Sequence, residues 1–87
     1  MFGIETGYIK IIDEKHQIVY HSGSADEVDL EVDEYYAIFV PQDEIEDVEI
    51  DGEYCGWGET ERGKEYHVYG FSDYQSYAYA LANMYIE

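Results

Sequence analysis

The residues with the clearest chemical potential in this chain are carboxylates spaced along its middle third. Between Asp26 and Glu53, 28 residues include 13 Asp and Glu but no Lys, Arg or His. Residues 28–33 and 48–51 alternate apolar and acidic residues strictly, which predicts two strands with the carboxylates of each on one face. Two such strands side by side would present about one negative charge per 3.4 Å, the axial spacing along one DNA strand. We therefore predict an anionic ridge that a basic groove could receive.

A cation site is an alternative use of the same carboxylates. Asp47–Gly52 has the opening rhythm of an EF-hand loop, with oxygen ligands at the first, third and fifth positions and Gly at the sixth. The twelfth position is Gly58, where calcium ligation requires Glu, and no helical pattern flanks the loop. The histidines lack the spacing of metal ligands, and one Cys excludes a Cys-based zinc site. We expect no bound metal and no cofactor beyond weak surface association with divalent cations.

The other candidate chemical groups favour packing over catalysis. Cys55 lies in an anionic stretch that disfavours a reactive thiolate, so we predict a small core or strand residue. Trp57 stands between Gly56 and Gly58 and is predicted to lie in the core, with an exposed interface anchor as the alternative. Among so many acids, a pair suited to acid–base catalysis could arise by chance. Since 87 residues offer no evident cleft-forming scaffold, we expect no enzymatic activity.

Hydrophobic patterns predict the elements that position these groups. Apolar or alternating runs predict strands at 8–12, 17–21, 28–33, 35–40, 48–51, 54–60 and 65–69. The first two should form a hairpin across residues 13–16. Pro41 should end the strand 35–40, because proline cannot donate to a strand ladder. Gly63 should supply a positive φ in the turn before 65–69.

The C-terminal segment changes to a helical period. Ser72–Gln75 is a predicted capping box with Ser72 at the N-cap. One apolar stripe then follows at helical spacing, whereas Tyr79 lies outside it and should be exposed; the stripe comprises Tyr74, Tyr77, Ala78, Leu81, Ala82 and Tyr85. We predict a single α+β domain over residues 1–87: a mostly antiparallel sheet of about four to six strands with one C-terminal helix packed on it.

Composition narrows the class of function. The chain carries a formal net charge of -17, which would repel nucleic acid and anionic lipid, so direct binding to either is not expected. Hydrophobic residues at 46% and aromatic residues at 17% exclude the composition of a disordered acidic chain. No apolar run predicts a signal peptide or a membrane span. We expect a cytoplasmic protein, monomeric or homodimeric, which would act in the host cytoplasm if phage-encoded.

The excess of acid has two remaining explanations. One is a solvated surface adapted to a salty cytosol, in an adaptor domain without mimicry; it predicts evenly spread acids and does not account for 11 Tyr. The other is an inhibitor that imitates nucleic acid and uses tyrosines as anchors beside the charges. The clustering of acids in the middle third favours the inhibitor.

In size and composition the chain resembles DNA mimics encoded by phages and mobile elements, which include anti-CRISPR proteins, antirestriction proteins and uracil-DNA glycosylase inhibitors. Residues 73–77, Asp-Tyr-Gln-Ser-Tyr, resemble a short C-terminal stretch of ArdA-type antirestriction proteins. Length, charge and α+β pattern resemble small anti-CRISPR proteins most. The resemblance implies a non-enzymatic inhibitor that blocks the basic groove of a nucleic-acid-binding protein. A CRISPR–Cas effector is the favoured target, followed by a restriction or DNA-repair enzyme.

The expected contact residues come from the acidic segments and from neighbouring tyrosines. Tyr35 and Tyr36 cannot both face the same side of a strand, so at most one of them should serve as an anchor there. The predicted acidic contacts are Asp29, Glu31, Asp33, Asp43, Glu44, Glu46, Asp47, Glu49 and Asp51, and the candidate anchors are Tyr35, Tyr36 and Tyr54.

Overall fold

Five antiparallel strands form the main sheet, and two short strands and a helix complete the fold. The computed structural model describes residues 3–20, 26–59 and 63–86. The strands are β1 (Glu5–Ile12), β2 (Lys15–Tyr20), β3 (Glu34–Pro41), β4 (Val48–Glu49), β5 (Glu53–Glu59), β6 (Glu65–Phe71) and β7 (Tyr85–Ile86), and helix α1 is Tyr74–Ala82. The main sheet has the order β2-β1-β3-β6-β5, and β4 pairs with β7. The predicted α+β class with one C-terminal helix on the sheet is confirmed.

The central strand β3 is apolar along its length because both of its faces are buried. Ala37 and Phe39 face one side of the sheet, whereas Tyr36, Ile38 and Val40 face the other. All five side chains are buried. Pro41 is the last residue of β3, as predicted.

The sheet curls until its two edge strands approach each other. A Cβ atom on Gly58 of β5 would lie only 2.8 Å from Nε2 of His16 on β2, so a side chain there would obstruct this approach. Gly56 has a φ of 103° at the position where the register between β5 and β6 shifts. We call the concave side of the curl the inner face; its buried cluster consists of Ile9, Ala37, Phe39, Tyr66 and Val68.

The opposite, outer face is covered by helix α1 and by irregular chain. Tyr77 and Ala80 are the buried helix residues, and they pack with Tyr36 and Ile38. The rings of Tyr36 and Tyr77 are stacked, with centroids 5.5 Å apart. Leu30, Ile45 and Ile50 also pack on this cluster from two acidic segments of the chain.

Residues 28–33 do not form the predicted strand. Residues 26–31 are irregular, and Val32 and Asp33 form a turn. The hydroxyl of Tyr36 holds this segment, because it accepts a hydrogen bond from the Val28 amide at 3.0 Å and donates one to the Val28 carbonyl at 2.9 Å. Leu30 packs on the outer cluster but Val32 is 98% exposed. The alternation was misleading because the segment covers a sheet face instead of pairing within the sheet.

Residues 48–51 also differ from the expectation. Only Val48–Glu49 is a strand, and it pairs with β7 and not with the main sheet. The predicted alternation of burial nevertheless holds, since Val48 is buried and Glu49 and Asp51 are exposed. The two acidic runs therefore do not lie side by side as strands, and the predicted ridge of regularly spaced carboxylates is wrong.

Helix α1 begins and ends at other residues than predicted. Its N-cap is Asp73 and not Ser72; the Asp73 carboxylate accepts from the Ser76 amide at 2.7 Å and from the Ser76 hydroxyl at 3.1 Å. Asn83 is the C-cap, so Tyr85 lies in β7 instead of in the helical stripe. Leu81 and Ala82 are exposed because Ala80 faces the sheet in their place.

The remaining strand predictions are confirmed, with shifts at their ends. The first hairpin is tighter than expected, because β1 and β2 are joined by Asp13 and Glu14, both with positive φ, as in a two-residue type I′ turn. Gly63 has the predicted positive φ, at 78°. The last residues of two predicted strands, His21 and Thr60, lie outside the described residues.

Candidate protein-binding surface

Both acidic segments lie on the same side of the molecule. We call residues 26–33 and 43–51 the acidic layer. Leu30 of the first segment and Ile45, Val48 and Ile50 of the second all pack on the outer cluster. Since their apolar side chains point to the sheet, the acidic residues between them are left on the solvent side. Asp26 and Glu27 are exposed, and so are six of the predicted acidic contacts: Asp29, Glu31, Asp43, Glu46, Glu49 and Asp51.

The other predicted acidic contacts are partly engaged within the protein. The Asp33 carboxylate lies 3.5 Å from the Lys10 ammonium. The Glu44 carboxylate accepts a hydrogen bond from the Gly3 amide at 2.8 Å. The Asp47 side chain lies outside what the structure describes. The negative charge that a partner could reach therefore comes mainly from the exposed acids that make no such ion pair or hydrogen bond within the protein.

The three candidate tyrosine anchors have different environments. Tyr36 is only 2% exposed, so the prediction that it could anchor a partner is wrong. Its ring fills the core between Tyr8, Tyr74 and Tyr77. Tyr35 faces the opposite side of the sheet, as strand alternation requires, and is partly buried against the inner cluster. Tyr54 is 50% exposed and remains available to a partner.

Tyr54 belongs to a group of aromatic side chains on the outer face of β5 and β6. We call Tyr54, Trp57, His67 and Tyr69 the aromatic patch. Tyr54 lies opposite Tyr69, and Trp57 lies opposite His67. The Tyr54 hydroxyl is 2.6 Å from Nδ1 of His67, and the Tyr54 ring packs edge-on against Tyr69 with centroids 5.5 Å apart.

Trp57 corrects a sequence prediction. It is 58% exposed, not buried, because strand alternation directs it away from the inner face on which the flanking Gly58 meets His16. The pattern Gly-Trp-Gly contained no signal for this, because adjacent strand residues face opposite sides and the glycines do not pack against the indole ring. His67 packs across the strands, with its ring centroid 5.6 Å from that of Tyr54.

The outer cluster places this patch next to the acidic layer. Val40 packs in the outer cluster together with Val48, and Val40 pairs with His67 in the sheet register. His67 in turn pairs with Trp57. Charged and aromatic surfaces therefore occupy neighbouring parts of the same side of the sheet.

A groove of about 560 Å³ lies where β5 begins beside α1. The residues that line it include Asp51, Glu53, Gln75 and Tyr79. Tyr79 is 62% exposed, as predicted from its position outside the helical stripe. The groove extends the acidic surface toward the helix and adds an aromatic side chain to it.

The remaining reactive groups have structural environments. Burial raises the pKa of the Cys55 thiol, and the charge of Glu53 raises it further, although a backbone hydrogen bond at Gly70 acts in the other direction. Burial also raises the pKa of the Tyr66 hydroxyl, which donates to the Glu5 carboxylate at 2.7 Å on the inner face. Within residues 3–20, 26–59 and 63–86, no group of three or more His, Cys, Asp or Glu is arranged to hold a metal ion.

Comparison with family models, with curated proteins and with solved structures found no match to this chain. No helix in the described part of the chain has the length and apolar character needed to cross a membrane.

Proposed function

We propose that this protein is a non-enzymatic inhibitor that occupies the basic nucleic-acid-binding groove of a target protein. The observation that carries the proposal is the location of both acidic segments on one side of the sheet, where Leu30 attaches the first and Ile45, Val48 and Ile50 attach the second. A basic groove is already built to receive dense negative charge, so complementary potentials would give rapid association and orientation. A CRISPR–Cas effector is the favoured target class, with restriction and DNA-repair enzymes next.

The loss of the regular strand ridge changes how the mimicry would operate. Carboxylates on the irregular acidic layer do not repeat at the spacing of DNA phosphates. The supporting feature is the one-sided density of charge and not a copied repeat. In exposed acids such as Asp29 and Glu46, the side chains keep the freedom to adjust to cations on a partner.

The test uses purified enzymes that bind DNA through basic grooves: guide-loaded CRISPR–Cas effectors, restriction enzymes and a uracil-DNA glycosylase. Fluorescence anisotropy of a labelled duplex would measure DNA binding as the protein is added. We expect at least one enzyme to lose its DNA at about one equivalent of protein, with the inhibition weakening steeply as salt is raised. An unchanged anisotropy for every enzyme contradicts the proposal for these target classes.

The acidic layer offers a matched pair of variants. Asp29→Asn with Glu31→Gln removes two exposed charges from it, and Asp33 stays unchanged because it pairs with Lys10. Asp13→Asn with Glu14→Gln makes the same two changes at the hairpin turn, outside the layer. We expect the first pair to weaken inhibition on the order of tenfold and the second to have little effect. Equal effects would indicate general charge attraction without a defined surface.

Salt adaptation predicts a different result. A protein whose acids serve only to keep it hydrated in concentrated salt should unfold when ionic strength is low. The proposed inhibitor should remain folded there, because its core is closed on both faces of β3. Circular dichroism melting at low and high salt separates these cases. Unfolding at low salt together with no inhibited enzyme would favour the salt-adapted domain.

A further inference from the structure

The outer face of β5 and β6 carries an unusual combination of an exposed indole and two facing carboxylates. Glu59 and Glu65 are opposite each other in the register of the two strands, and both are exposed. Like charges directly opposite across a sheet are destabilising. By strand alternation they share the face of Trp57 and His67, at about 6.6–6.8 Å along each strand.

Among the residues that the structure describes, the cation nearest in sequence to Glu65 does not lie on this face. Lys64 is directed to the inner face, where its ammonium lies 5.5 Å from the centre of the Tyr66 ring. The Glu59 and Glu65 carboxylates thus face solvent beside Trp57, which is more than half exposed. A cation supplied from outside would relieve their mutual repulsion.

The patch also contains a polar atom without a partner. The Tyr54 hydroxyl is hydrogen-bonded to Nδ1 of His67, but Nε2 of the same ring is buried with no hydrogen-bond partner among the described residues. Buried polar atoms in native proteins are seldom left unsatisfied. The outer face of β5 and β6 thus has an unpartnered buried nitrogen beside two carboxylates that oppose each other across the strands.

We propose that this surface binds an arginine side chain of a basic partner protein, with the guanidinium stacked on Trp57 and paired with Glu59 and Glu65. A guanidinium is planar, stacks on aromatic faces and offers several donors to carboxylates, whereas a lysine ammonium is a compact and strongly hydrated charge. Arginine is also abundant in grooves that bind nucleic acid. The inference rests on the proposed function and identifies where its aromatic anchor lies.

A second copy of this chain is a less suitable occupant. The chain has only four Lys and Arg residues and a formal net charge of -17, so two copies would repel each other across this surface. A dimer that forms in sedimentation experiments and is lost in Trp57→Leu would overturn the proposal. A monomer in both proteins is the expected result.

The test exploits the fact that Trp57 is the only tryptophan of the chain, so intrinsic fluorescence reports on this surface directly. The probes are hexa-arginine and hexa-lysine peptides, titrated at physiological ionic strength, with calorimetry as a second readout. We expect hexa-arginine to change the Trp57 emission and to bind about two- to fivefold more tightly than hexa-lysine. Equal affinities for the two peptides would overturn the proposal.

Variants test which residues produce the preference for arginine over lysine. Trp57→Leu should bring the affinities for hexa-arginine and hexa-lysine close to equality, as measured by calorimetry. The double variant Glu59→Gln with Glu65→Gln should do the same, and it retains Trp57 as the fluorescent reporter. Tyr79→Leu removes a similarly exposed aromatic side chain from α1 and should leave the arginine preference intact. A preference that persists in Trp57→Leu, or disappears equally in Tyr79→Leu, would show that arginine is not read by this surface.

Failure of this inference is distinguishable from failure of the proposed inhibitor. The peptide titration needs no target enzyme, so a preference for arginine would stand even if no DNA-binding enzyme were inhibited. Conversely, an enzyme inhibited equally well by wild type and by Trp57→Leu would support the inhibitor and remove the anchor assigned here. Asp29→Asn with Glu31→Gln should weaken the binding of both peptides alike and preserve the ratio of their affinities.

Discussion

The two faces of the main sheet are built by the same strands but are completed in different ways. The inner face is closed by the curl of the sheet, with His16 of β2 next to Gly58 of β5. The outer face is closed by α1 and by the acidic layer, and it stays open at the aromatic patch. The inner face therefore serves packing alone, whereas the outer face combines packing with a surface that a partner could reach.

Within the outer face, the acidic layer and the aromatic patch are held in different ways. The acidic layer is mostly irregular and is fixed by a few inward residues such as Leu30 and Val48. The aromatic patch lies on paired strands whose register fixes each ring. An adaptable charged region beside a rigid aromatic one would let charge guide association and the rings set the position.

The largest expected effect comes from the inner face. Phe39→Ala removes a fully buried ring and should lower the free energy of unfolding by about 3–5 kcal/mol, measured by urea denaturation. Val32→Ala, at a site 98% exposed, is the control and should change stability by less than about 0.5 kcal/mol. Similar losses in the two variants would mean that the inner face is not closely packed.

A second variant examines how tightly the curl closes. In Gly70→Ala the new Cβ would lie 2.7 Å from Sγ of Cys55 and 3.6 Å from Cδ1 of Ile9. Overpacking of this kind costs about 1–3 kcal/mol. Adding Cys55→Ala removes the sulfur and should recover part of the loss in a double-mutant cycle. Strict additivity of the two changes would argue against this contact.

Releasing the acidic layer from the sheet should cost less stability than either change on the inner face. Tyr36→Phe keeps the buried ring but removes the hydroxyl bonded to both backbone groups of Val28. We expect a loss of about 0.5–1.5 kcal/mol together with faster hydrogen exchange at the Val28 amide. Amides of β6 should keep their relative protection. Unchanged exchange at Val28 would mean that other contacts hold this segment.

The smallest effect on stability is expected at the aromatic patch. Trp57→Leu replaces an exposed side chain and should change the free energy of unfolding, measured by urea denaturation, by less than about 0.5 kcal/mol. A large loss of stability would mean that Trp57 contributes to packing, as the buried residues of the inner face do. Trp57 would thus separate stability from binding in a way that Phe39 cannot.

The predictions that succeeded came from strong local patterns. The continuous apolar run in β3 required burial on both faces, and Pro41 ended it. The change to helical period near Tyr74 indicated the single helix. The cap was misplaced by one residue because Ser72 and Asp73 are both good N-caps, and only the contacts with Ser76 distinguish them.

The candidate surface was predictable only in part. The sequence shows which segments are acidic, but strict alternation at 28–33 could not reveal that Tyr36 would hold this segment over the sheet. The exposure of Trp57 depended on the outer face of β5 being left uncovered around it. Such arrangements follow from long-range pairing, which a local pattern does not specify.

The sequence by itself therefore determined the net charge, the apolar central strand, the hairpin turns and the presence of one helix, because these depend on composition and on neighbouring residues. Tertiary structure alone decided that the acidic segments cover one face and that Tyr36 is buried while Trp57 is exposed. The physical reason is that alternation fixes the relative direction of adjacent side chains, whereas burial depends on what the rest of the chain places over them.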